Sequence, residues 1–115
     1  MSESRERKRF TVWFPMKVGG PEGPESVAVS RNVSTKGLLM AAASQLEAGK
    51  SITVTFRLAG HDGSERTVQG KIIRTEPNSD DPDGLWPYRV AVQFEEPQEE
   101  LEPLLEELAD RQPFK

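Results

Sequence analysis

Arg5 and Arg9, in the run Arg5-Glu6-Arg7-Lys8-Arg9, and the segment Asn32-Val33-Ser34-Thr35-Lys36-Gly37 carry the side chains of this sequence best suited to recognising a ligand. A guanidinium is a planar fork that grips a phosphate through two parallel hydrogen bonds and also lies over an aromatic face. Asn32 offers both an acceptor and a donor, Ser34 adds a rotatable hydroxyl, and Gly37 permits a positive φ or the close approach of a ligand to the backbone. Two arginines of this kind suit the phosphates and ring faces of a nucleotide, while amide, hydroxyl and glycine suit the edge of a purine. Each half also has a plainer reading, a solvated basic tail for the first and a polar turn for the second.

Little else in the chain carries chemistry. There is no cysteine, which removes disulfides and thiolate catalysis. The single histidine, His61, is followed by Asp62 in a loop-like stretch with no further ligands at metal-binding spacing. No serine has an obvious base partner. The sequence therefore reads as non-enzymatic, with no catalytic residues, no metal site and no cofactor.

The elements that must position these groups follow from the periodicity. From Phe10 the apolar residues alternate through Val12, Phe14, Met16 and Val18, the period-two signature of a half-buried strand, with Pro15 marking an edge or a bulge. A Gly/Pro-rich turn over 19–25 leads to a second strand through Val27, Val29 and Val33, and Leu38-Leu39-Met40 forms a short third strand beyond Gly37. Ile52, Val54, Phe56 and Leu58 predict a fourth strand. A fifth runs through Val68, Gly70, Ile72 and Arg74 with Ile73 out of phase, and Tyr88, Val90, Val92 and Phe94 predict a sixth after a long acidic loop. The period then changes: Leu101, Leu104, Leu105 and Leu108 stand at i, i+3, i+4 and i+7, one apolar stripe on a helix expected over about 99–110, with Pro103 in its first turn.

Six short strands with hairpin-like connections predict an all-β fold, an antiparallel six-stranded barrel, with a C-terminal helix covering one end. At 115 residues the chain has room for one core. The expected organisation is a flexible basic arm over 1–9, one barrel-and-helix domain over 10–110 and a tail over 111–115. No apolar run approaches the roughly 18 residues that span a bilayer. No h-region follows the amino terminus, so a cytoplasmic location without membrane insertion is expected. The formal net charge of -4 argues against a nucleic-acid-coating protein, because that affinity comes from summed cationic contacts. Trp13, Trp86 and Tyr88 are candidates for a partner surface.

The conjunction of R-x-x-x-R ahead of the first strand, N-x-S-x-x-G after the second, the ending Val92-Gln93-Phe94 and a short helix resembles the PilZ domain family, from Arg5 to about Leu108. The resemblance implies a six-stranded antiparallel barrel that acts as a bacterial receptor for cyclic di-GMP. It implies that Arg5 and Arg9 take the guanine faces and phosphates and that Asn32, Ser34 and Gly37 line the guanine edge. The family places Asp or Asn where Asn32 stands, and a small residue, often glycine, where Ala91 stands. With no output domain in view, the signal is expected to pass to a protein partner through a change in the arm and the adjacent surface. The alternatives are a ligand-independent interaction adaptor and, in third place, a small barrel that binds single-stranded nucleic acid.

Overall fold

A computed structural model describes residues 9–20, 25–57, 65–80 and 83–111. Six strands precede one helix: β1 Pro15–Gly19, β2 Ser26–Val33, β3 Gly37–Ala42, β4 Ser51–Arg57, β5 Glu65–Pro77, β6 Tyr88–Phe94 and α1 Leu101–Arg111. All neighbouring strands are antiparallel and close a barrel in the order β1-β2-β3-β6-β5-β4. The expected fold class is the one observed.

Alternation decides which side chains fill the barrel. Met16 and Val18, Leu38 and Met40, Ile52, Val54 and Phe56, and Val90, Val92 and Phe94 are buried, and the Phe14 and Phe56 rings pack 5.0 Å apart. Each such side chain stabilises the fold by roughly 1.5–3 kcal/mol relative to exposure. The four leucines of α1 join the same core. Pro103 lies in the first turn of α1, Glu102 sits at its amino-terminal end, and Arg111 in its last turn reaches Glu107 at 3.2 Å, all in keeping with the helix dipole.

Two expectations about the first strand need correction. Burial does alternate from Phe10 to Val18, but the ladder begins only at Pro15; Phe10 forms an isolated bridge with Val33. Residues between them are held by a side chain. The buried Ser30 hydroxyl accepts from the Phe14 N–H at 2.9 Å and donates to the Val12 carbonyl at 2.7 Å. Nor is β1 an edge: it pairs with β2 on one side and β4 on the other, and Pro15 is tolerated because it opens the strand.

Two β-bulges interrupt the ladders, one between Ser30 and Asn32 on β2 and one between Ile72 and Arg74 on β5. The second explains why Ile73 falls out of phase. His61 lies outside the described residues, and among those described no helix is long and apolar enough to cross a membrane.

Candidate ligand-binding site

The β2 bulge turns Asn32 toward the outer surface of the barrel, where the Arg9 Nε–H donates to its Oδ1 at 2.8 Å. Residues separated by most of the first hairpin thus meet directly. Arg9 has its place because Phe10, next in the chain, exchanges two backbone hydrogen bonds with Val33, next to Asn32: 2.8 Å from Phe10 N–H to Val33 O and 2.9 Å in return. The guanidinium keeps its terminal nitrogens for other acceptors, and the amide keeps its NH2 group.

Gly37 begins β3 on the same surface. Its φ is not positive; among the described residues that conformation belongs to Gly49. The need for glycine at position 37 comes from packing instead, since a Cβ there would collide with the Val92 carbonyl oxygen across the β3–β6 ladder. Ser34 has a different part. It is fully buried, its N–H donates to the Gly37 carbonyl at 2.8 Å, and its Oγ accepts from the Lys36 N–H at 3.1 Å. Its hydroxyl fixes the β2–β3 turn and does not face the surface groove. Arg5 lies outside the described residues.

Arg9, Asn32 and Gly37 line one shallow groove of about 380 Å³ together with Lys36, Leu38, Leu39, Ile73, Arg74, Ala91, Val92 and Gln93. Three of these side chains are cationic and none is acidic, on a chain whose net charge is -4. The floor is aliphatic. A groove of this kind can hold an anion at its charged rim and lay a planar ring on its floor. Two nearby arginines are engaged elsewhere: Arg89 and Arg31 reach the Asp80 carboxylate at 3.0 and 3.7 Å, and Arg89 also donates to the buried Asn78 at 3.2 Å.

Sequence reasoning missed Lys36 and Arg74 as groove residues. Lys36 was inside the singled-out motif, at a position that N-x-S-x-x-G leaves unspecified. Arg74 carried a signal in the phase slip at Ile73, which put the following residue on an unexpected face. A second, larger groove of about 550 Å³, between Trp13, Val27, Val29, Thr55, Phe56 and Trp86, is almost wholly apolar. Lys17, Arg57 and Glu65 also line it, so a carboxylate stands among its cations, unlike the first groove. Trp13 stands on the outward face as expected, 49% exposed. Among the described residues no three His, Cys, Asp or Glu side chains converge as for a metal ion.

The fold and this motif-bearing surface define a class of small β-barrel binding domains. The sequence model of the PilZ domain matches residues 3–111, and the chain belongs to that family, whose members are generally binding or adaptor domains and receptors for cyclic di-GMP. Solved structures share the fold at low identity. The PilZ domain of YcgR from Escherichia coli, determined with cyclic di-GMP, superposes with a TM-score of 0.72 at 11% identity, covering 96% of this chain and 95% of that one. The Bacillus subtilis inhibitor of motility MotI/DgrA gives 0.69 at 17% identity, covering 98% of this chain but 53% of its own, so this chain spans about half its length. The PilZ domain of CeSA from a cellulose-synthesizing bacterium gives 0.59 at 17% identity, covering 93% and 99%. No curated protein is a significant match.

Proposed function

We propose that this PilZ domain is a receptor for cyclic di-GMP that signals to a protein partner and catalyses nothing itself. The observation that carries the reading is the groove in which Arg9 and Asn32 are already hydrogen-bonded, over an aliphatic floor, with three cations and no carboxylate in its lining. Arg9, joined by Arg5 from the arm, takes phosphate oxygens and a guanine face. Asn32 hydrogen-bonds the guanine edge, and Gly37 lets β6 pack close against β3 so that the groove lining forms. Ser34 contributes by holding the turn that carries both. Ordering the arm costs roughly 1–2 kcal/mol per residue, which charged hydrogen bonds of roughly 1.5–3 kcal/mol each offset. Affinity of about micromolar order is compatible with these magnitudes. The change on binding is a closure of the arm over the groove, and the partner reads the altered surface.

Isothermal titration of the protein with cyclic di-GMP tests this. Binding is expected, with Arg9→Ala weakening it roughly tenfold or more and leaving the thermal melt intact. Arg9→Lys should not restore it, because an ammonium lacks the planar fork. Absence of heat and of chemical-shift change with the wild-type protein would overturn the reading. It would favour a ligand-independent adaptor, a role that the apolar groove between Trp13 and Trp86 supports.

A further inference from the structure

Strand β5 inserts one residue where the cationic groove meets it. Ile72 pairs with Val92 and Arg74 with Ala91, so Ile73 is extra, and it stands 48% exposed in the groove lining. A bulge of this kind re-aims the side chains around it. Without it, Arg74 would keep the phase of Ile72 and point into the core. With it, Arg74 and the aliphatic Ile73 both line the groove.

The position of this pair relative to Arg9 and Asn32 matters. In the barrel order, β2 and β5 flank β3 and β6, so the two cationic sides of the groove are separated by three interstrand spacings, roughly 14 Å along the wall. Leu39 and Ala91 form the floor between them. The Arg74 guanidinium lies 3.7 Å from the Glu76 carboxylate, with both side chains largely in solvent, which is a long and exposed pair of little strength. Arg31 and Arg89, by contrast, share Asp80. Of Arg31, Arg74 and Arg89, Arg74 is thus the one most easily released to an incoming anion.

We propose that the β5 bulge builds the second half of the site: Arg74 takes a phosphodiester of the dinucleotide, Ile73 supports a base face, and Glu76 holds Arg74 while the groove is empty. This rests on the cyclic di-GMP reading. Calorimetry on the full chain with cyclic di-GMP separates the two claims. Arg74→Gln should raise the Kd about tenfold. Glu76→Gln should lower it two- to threefold at low salt, an effect that disappears in the Arg74→Gln background. If Arg9→Ala loses binding while Arg74→Gln binds as wild type, the second half of the site is refuted and the receptor stands. An unchanged Kd for Glu76→Gln removes its holding role. No binding by the wild type removes both readings together.

Discussion

Single hydroxyls illustrate how much depends on where a small polar side chain is sent. Ser30 and Ser34 are both fully buried and both serve backbone groups, Ser30 those of the segment ahead of β1 and Ser34 the Lys36 N–H of the β2–β3 turn. Ser30→Ala leaves the Phe14 N–H and the Val12 carbonyl without their acceptor and donor, so it should destabilise the fold by about 1–3 kcal/mol in urea denaturation. Ser34→Ala should cost a similar amount, and its effect on cyclic di-GMP affinity should follow from loosening of the turn. A loss of binding with stability unchanged would instead give the hydroxyl a direct contact. The sequence made Asn32 and Gly37 conspicuous by type and spacing. It did not separate a serine that faces a ligand from one that faces its own turn, because N-x-S-x-x-G is equally the sequence of a good turn. Gly37 was noticed for conformational freedom, yet its requirement arises from the neighbouring strand, which a one-dimensional pattern does not contain.

At the level of elements, periodicity was a good guide to facing and a poorer one to hydrogen bonding. The strict alternation from Phe10 to Val18 matches burial residue by residue, although only Pro15–Gly19 forms a ladder. Side-chain facing follows from hydrophobicity, whereas ladder length depends on what the opposite strand offers, here a bulge and a serine. Helix α1 was legible almost to its ends because a leucine stripe and Pro103 fix its face and start. Its contribution to the core is testable: Leu105 is fully buried, and Leu105→Ala should destabilise the domain by about 2–5 kcal/mol, lowering the midpoint of thermal unfolding. A much smaller loss would mean that the helix packs too loosely to belong to the core. Strand β5 was underestimated at both ends, since the polar residues Glu65–Thr67 and Thr75–Pro77 pair on a solvated surface where no hydrophobic signal is required.

For the molecule as a whole, hairpins between consecutive strands were visible in turn composition, but the two pairings that close the barrel, β3 with β6 and β1 with β4, join distant segments and left no local trace. Closure is what assembles the groove, whose lining comes from β2, β3, β5 and β6 together with Arg9 and Lys36 of the β2–β3 turn. The same closure ties the β2–β3 turn to the approach of α1: Phe94 N–H donates to the Lys36 carbonyl at 2.8 Å, and Gln98 N–H donates to the Thr35 carbonyl at 2.7 Å. That tether has a practical consequence in a chain free of cysteine. Asp110→Cys would give a single thiol on an exposed helical position for an environment-sensitive dye, making the domain its own optical sensor. Emission should then change during a cyclic di-GMP titration with the midpoint found by calorimetry, and a constant signal at saturation would show that the helix is mechanically deaf to the groove.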